Sequence, residues 1–225
     1  RTGWGGQGMV DTNGIAGSGG GRPALSESRK LRLFFVFLLY VAQGVPIGLF
    51  WFAIPAWMAA QGAGASDVAY VLGLTALPWS LKFVNGFIMD RYTFLAMGRR
   101  RAWLAGAQLV MIAGLLVCAA LSPGVGDIWL LGAIGFAVNA ATTFQDVAVD
   151  GLAVDIMQED ERGRASGMMF GGQAIGIALS TAATGAAIAS YGPSAAFLVA
   201  ALFIAFVTVF VLAIRERPGE RLLPW

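Results

Sequence analysis

Lys82, Asp146 and Asp150 stand inside apolar runs long enough to cross a bilayer. A charged side chain in hydrocarbon is expensive, so each must meet an opposite charge, line a wet cavity or change its protonation state. The two carboxylates belong to a row, Asn139, Thr142, Thr143, Asp146 and Asp150, that recurs every three or four residues and therefore occupies one helix face. Such a row can take up and release a proton, pair with Lys82, and hydrogen-bond a polar solute. Gln43, Asn85 (one turn from Lys82) and Gln145 complete the candidate pathway, although Gln43 and Asn85 could equally serve as interhelical contacts. Two plainer readings stay open. Lys82 could snorkel to an interface, and Asp150 could simply end its helix.

What is missing narrows the chemistry. The sequence contains no His, which removes imidazole catalysis, His-based metal sites and His proton relays. Cys118 is a lone cysteine in an apolar run, so it supports neither a disulfide nor a metal framework. No G-x-x-x-x-G-K-[ST] motif is present to bind a nucleotide for pumping. With no nucleophile–base pair either, the expectation is a protein that is not an enzyme and uses no cofactor or metal.

The elements that must position these residues are set by charge. Six apolar stretches, at 31–58, 68–89, 102–121, 128–157, 165–189 and 195–214, each meet the roughly 20 residues that a bilayer core of about 30 Å demands. Arginines and lysines fall in alternate connectors: Arg29, Lys30 and Arg32; Arg91 and Arg99 to Arg101; Arg162 and Arg164; then Arg215, Arg217 and Arg221. The connectors at 59–67, 122–127 and 190–194 carry none. Cytoplasmic loops retain positive charge, so the pattern predicts six crossings with both termini in the cytoplasm. Composition agrees, with 57% hydrophobic against 12% charged residues and a mean hydropathy of +0.71, well outside the soluble range. The net charge of +2 is therefore a topology signal that also favours anionic lipid, and no nucleic-acid partner is expected.

Residues 1–26 are Gly-rich, without an apolar core, and read as a disordered segment rather than a signal peptide, with Met9 as a possible start. The bundle then covers 27–214, and 215–225 begins a cytoplasmic linker. Pro46 and Pro55 interrupt the first span, as in helices that line a pathway or merely kink. The fifth span carries two small-residue rows at four-residue spacing: Gly163, Gly167 and Gly171, then Gly172, Gly176, Ser180 and Thr184. Packing within the bundle accounts for one row; the other predicts a further partner, either a second bundle or a second copy. Gln108 and Gln173 read as packing or interface residues, Trp51, Trp57, Trp103 and Trp129 as interfacial belt, and Trp79 as core, with stacking on a substrate ring as its alternative. The sixth span, taken to hold no polar side chain, is expected to face lipid.

Between the second and third spans the chain reads Gly86-Phe-Ile-Met-Asp90-Arg91, then Gly98-Arg99-Arg100-Arg101. This resembles the G-x-x-x-D-[RK]-x-G-[RK]-[RK] gating-loop signature of major facilitator superfamily transporters, lengthened here by residues 92–97. In that signature the Gly permits close packing and the Asp pairs with cations at neighbouring helix ends. Gln43-Gly44-Val-Pro46, Leu81-Lys82-Phe83, the Asp90 and Arg99–Arg101 loop, Phe144-Gln145-Asp146-Val-Ala-Val-Asp150 and Glu161-Arg162-Gly163 follow in one order. Together they are similar to the AmpG-type permeases, a family of muropeptide permeases and related acetyl-CoA transporters.

The resemblance implies an all-α membrane fold of six helices, two inverted three-helix repeats forming one half of a twelve-helix transporter. It further implies a proton-linked permease of the bacterial inner membrane, moving a small organic solute such as a muropeptide or other anionic conjugate. Asp146 would be the coupling carboxylate, and Lys82 its partner or a substrate anchor. The partners implied are solute, proton, lipid, and a missing C-terminal half or second copy. The rival expectation is a six-helix scaffold that transports nothing.

Overall fold

The computed structural model describes residues 24–221, and these are helical almost throughout. The first span runs unbroken over Arg29–Ala60. It comprises α1 (Arg29–Ile47), a π-helical stretch Gly48–Ala53, and α2 (Ile54–Ala60). Ser28 caps its start, accepting from the Leu31 amide. The two prolines flank the π stretch, where the helix widens and the Ile54 amide reaches back to the Leu49 carbonyl. Hydroxyls from the fifth span reach the carbonyls of this region, Ser180 donating to Val45 at 2.8 Å and Thr181 to Gly48 at 3.2 Å.

The second span is not one helix. α3 (Ala65–Ser80) and α4 (Lys82–Arg91) meet at a 42° bend. Pro78, within the last turn of α3, explains the break, and Leu81 takes bridge-region angles there. The remaining spans are α5 (Arg101–Leu121), α6 (Ile128–Ile156), α7 (Arg162–Tyr191) and α8 (Pro193–Ala213). Gly192 ends α7 at φ +84°, and Pro193 opens α8 at once. Ser122, left-handed at φ 48°, ends α5, and its hydroxyl meets that of Ser194 at 2.7 Å.

Part of the packing repeats. α1 lies along α7 as α6 lies along α3, while α5 pairs with α8 and α1 with α6. Exchanging spans one to three with spans four to six maps these pairs onto one another, as expected of two three-helix repeats, although α7 also packs on α8 and the second span makes no comparable contact with α5.

Glycines set the α1–α7 contact. A Cβ at Gly44 would stand 2.6 Å from the Gln173 carbonyl oxygen, and one at Gly48 2.7 Å from that of Ile177. From the other side, Gly172 faces the Phe37 carbonyl and Gly176 that of Val41. The row of Gly172, Gly176, Ser180 and Thr184 is therefore spent inside the bundle. A Cβ at Gly163, Gly167 or Gly171 would meet nothing within 4 Å, so that row is open.

The structure corrects four expectations. Ala24 and Leu25 are buried, so packing begins before the expected boundary at residue 26; residues 1–23 lie outside the described residues. The second span is broken rather than continuous. Thr208 is a polar residue within the sixth span, its hydroxyl donating to the Ile204 carbonyl. α8 also does not simply face lipid: Phe197, Ala200, Ile204 and Val211 are buried, while Leu202, Phe206 and Val209 on its other side are exposed.

Two apolar clusters fill the bundle. One holds Phe35, Leu39, Met89, Leu104 and Val149, the other Leu49, Phe50, Leu115, Val138 and Phe197. Along α1 the first ends at Ala42 and the second begins at Val45; along α6 they are divided between Ala141 and Ala148. The buried polar residues Gln43, Thr142, Thr143, Gln145 and Asp146 occupy that gap.

Candidate functional site

α6 supplies the polar row and three other segments reach it. Asp146, 4% exposed, receives Gln43 Nε2 on Oδ1 at 2.7 Å and Lys82 Nζ on Oδ2 at 3.0 Å. One carboxylate thus ties α1, α4 and α6 together. One turn on, Asp150 Oδ1 accepts from the Tyr40 hydroxyl at 2.5 Å. The same two helices make both contacts, in reversed order, because α1 and α6 run antiparallel. Asp150 does not end its helix, which continues to Ile156.

Lys82 differs from its expectation in burial. Its side chain is 48% exposed against 6% for Asp146, because the α3–α4 break leaves it on the first turn of α4. It is therefore a half-exposed ammonium held to a buried carboxylate, not an ammonium enclosed within this bundle.

The other predicted residues direct their side-chain hydrogen bonds to groups other than Asp146. Asn85 Nδ2 donates to Thr143 Oγ1 at 2.9 Å, and Thr143 donates to the Ala140 carbonyl at 2.7 Å. Asn139 Oδ1 accepts from the Trp79 indole at 3.1 Å, and its Nδ2 donates to the Gly135 carbonyl at 3.0 Å. Gln145 Nε2 donates to the Leu39 carbonyl at 2.9 Å. Trp79 also meets Trp51 edge to face at 6.4 Å, so its ring is engaged. The Oε1 atoms of Gln43 and Gln145, and both amide atoms of Gln108, have no partner among the described residues.

The loop between the second and third spans forms a second network. Asp90 Oδ1 lies 3.3 Å from Arg100 Nη2 and 3.6 Å from Arg99 Nη2, and Arg100 Nε lies 3.5 Å from Asp155 at the end of α6. Arg101 is buried and caps the sixth span, donating to the Val211 and Leu212 carbonyls at 2.9 Å each. Gly98, at φ +106°, has the Glu216 carboxyl 2.8 Å from where its Cβ would sit. Glu216 then accepts the amides of Arg99, Arg100 and Arg101 at 3.0, 2.8 and 2.5 Å. Two members depart from expectation. A Cβ at Gly86 would find only Val147, at 4.0 Å, so no tight approach depends on that glycine. Arg91 lies over the Tyr92 ring at 5.8 Å and joins no ion pair among the described residues.

Tyr40, Asp155 and Glu216 were missed from sequence, and Trp79, read there as core, holds Asn139. Tyr40 had a signal, since it precedes Gln43 by three residues and Asp150 follows Asp146 by four. Glu216 had none, because nothing in a charged linker marks one carboxylate as a helix cap. A further contact gives Glu161 a role beyond the quoted motif. It holds Arg32 through two bonds of 3.1 and 2.7 Å, both side chains buried.

The family model described as "Major Facilitator Superfamily" matches residues 36–224. The chain belongs to the major facilitator superfamily. Within the superfamily its relatives include AmpG-type permeases. It is 27% identical over 160 residues to the anhydromuropeptide permease of Escherichia coli K12, covering 68% of this chain and 32% of that protein. It is 26% identical over 199 residues to the putative transporter AmpG 4 of Rickettsia felis, covering 84% and 46%. It is also 31% identical over 156 residues to the uncharacterized protein C21B10.09 of Schizosaccharomyces pombe, covering 65% and 29%. The chain thus spans less than half the length of each of these relatives. Superfamily membership and the apolar helices make it a multi-pass membrane protein, and the six spans are consistent with half of a major facilitator fold.

Proposed function

We propose that this chain is the N-terminal half of a proton-coupled permease that moves a small organic solute by alternating access. Both termini would face the cytoplasm across a bacterial inner membrane. The observation that carries the reading is Asp146: a buried carboxylate in the fourth span, held by Lys82 and Gln43 from two other helices. Protonation would remove its charge and release Lys82, changing the contacts that hold three helices together. A proton biases a conformational equilibrium only through such a difference in affinity between states. In this reading Lys82, Asp150, Asn139, Asn85, Gln43 and Gln145 line one wall of the pathway, and a second six-helix unit supplies the other. The relatives' names support a permease rather than an enzyme, and that of the E. coli protein suggests an anhydromuropeptide as the solute.

The test uses vesicles containing the chain alone, or the chain co-expressed with the second half of the E. coli permease. Uptake of labelled anhydromuropeptide is followed with and without an imposed pH gradient. We expect gradient-driven uptake with both halves present, and loss of gradient dependence in Asp146→Asn. Uptake indifferent to the gradient would remove proton coupling, and no uptake from either preparation would remove this solute.

A further inference from the structure

An apolar groove of about 400 Å³ runs between α5 and α6, away from the polar row. Its walls include Trp103, Gly106 and Ala107 from α5 and Ala137, Ala140 and Phe144 from α6. Ala137 stands two residues before Asn139, and Phe144 two before Asp146, which places each on the opposite side of α6 from the polar residue at about 100° per residue. The groove therefore opens toward whatever surrounds the bundle. Small residues form its floor, and a Cβ at Gly106 would meet no atom within 4 Å. One end is closed by aromatic rings. Trp103 stacks on Phe144 with centroids 5.8 Å apart at 16°, and Phe94 meets Trp103 edge-on at 5.9 Å. The indole N–H of Trp103 is already committed to the Tyr92 carbonyl at 3.0 Å, so the floor and the closed end offer no hydrogen bond.

The loop that meets this aromatic end is cationic. Trp103 donates to the carbonyl of Tyr92, the residue after Arg91, and Arg91 lies over the Tyr92 ring, while Arg99 lies in the same loop two residues before α5 begins. Arg91 has no carboxylate partner among the described residues, and the side chain of Arg99 is half exposed, with Asp90 only at 3.6 Å. An apolar groove floored by small side chains and closed by aromatics, with the exposed guanidinium of Arg91 and the half-exposed one of Arg99 on the adjoining loop, suits a ligand with an apolar tail and an anionic head.

We propose that this groove binds a phospholipid with an anionic headgroup, its acyl chain lying along Gly106, Ala107, Ala137 and Ala140 and its phosphate meeting Arg91 and Arg99. Guanidinium groups suit a phosphate geometrically, and basic residues at a membrane surface favour anionic over zwitterionic lipid. The binding is independent of whether the chain transports a solute or couples to protons.

Trp103 provides the probe. The chain is reconstituted in phosphatidylcholine vesicles containing either brominated-chain phosphatidylglycerol or brominated-chain phosphatidylcholine at equal mole fraction. The quenching of Trp103 is the difference between the chain and its Trp103→Phe variant. We expect the anionic lipid to quench Trp103 several-fold more than the zwitterionic one. Arg91→Gln combined with Arg99→Gln should abolish the excess, and Gly106→Leu should reduce quenching by both lipids. The open space at Gly106 accommodates leucine; should far-UV circular dichroism reveal lost helix, Ala137→Leu fills the same groove from α6. Equal quenching by the two lipids, or an excess that survives filling the groove, overturns the proposal. Shielding of Trp103 from both lipids in a preparation that sediments as a dimer overturns it too, and assigns the groove to a second copy.

Discussion

Lys82 Nζ lies 3.0 Å from Asp146 Oδ2, while Gln43 holds the other oxygen of the same carboxylate at 2.7 Å. The pair is asymmetric: Asp146 is enclosed and Lys82 is half exposed. Breaking a fully buried pair strands a charge and costs about 3–5 kcal/mol, whereas solvent-exposed pairs are worth about 1 kcal/mol or less. If that exposed face opens to a wet pathway, as the proposed function requires, a double-mutant cycle of Lys82→Met and Asp146→Asn on thermal stability in detergent should give a coupling nearer the lower figure, about 1 kcal/mol. Asp146→Asn keeps a group that Gln43 can still hydrogen-bond, so it should be the milder single change. Strict additivity would mean that the two side chains do not meet in solution.

The glycines of the fifth span should separate by face. Gly176→Leu drives a side chain into the backbone of α1 near Val41, whose carbonyl carbon is 2.9 Å from the Cβ position. Overpacking of this kind costs about 1–3 kcal/mol, and rigid backbone opposite leaves little room to relax. Gly167→Leu and Gly171→Leu meet nothing and should leave the stability of the isolated chain within about 0.5 kcal/mol. If the open row instead receives another bundle, these two variants should weaken its association, read by crosslinking, while Gly176→Leu acts on melting temperature.

How far the sequence carried this reading can be traced through individual residues. Apolar length located five long spans and the bent helix pair of the second, because a bilayer core demands about 20 apolar residues. The Lys82–Asp146 contact was also legible, since two costly charges in neighbouring spans need one another. The exposure of Lys82 was not, because it depends on the break after Pro78 and Ser80, and composition does not tell a tolerated proline from a bend. Gly86 matched a signature yet packs loosely, whereas Gly44 and Gly48, four residues apart but not singled out as a packing row, make some of the tightest contacts. Close approach depends on both helices, and a row read from one sequence segment reports only its own side. Glu216 acts through three backbone amides, which leave no mark in side-chain identity.

Gln108 is wholly buried, and neither amide atom has a partner among the described residues. A buried polar group without a hydrogen bond costs about 1–3 kcal/mol. Gln108→Leu keeps the approximate volume and removes that penalty, so the variant should melt higher than the parent, corresponding to about 1 kcal/mol or more. A lower melting temperature would mean that Gln108 is hydrogen-bonded in the folded protein.

Glu216 predicts a pH dependence of known sign. Burial pushes its carboxyl above the ordinary 4.5, opposed by the amides of Arg100, Arg101 and Arg99, while the nearby Glu220 pushes the same way as burial. A carboxyl whose folded value is raised binds more protons folded than unfolded, so its contribution to stability falls as pH rises from about 4.5 through the folded value. Glu216→Gln cannot titrate but retains a carbonyl oxygen to accept from the helix amides. The melting-temperature difference, parent minus variant, should therefore shrink as pH increases across that window and level off above it. Glu216→Ala should lose stability at every pH, because the amides of residues 99–101 lose their acceptor and the first turn of α5 loses its cap, a loss of about 1 kcal/mol or more. A difference that grows with pH would mean that the ionised carboxylate is the favoured form, with the amides outweighing burial.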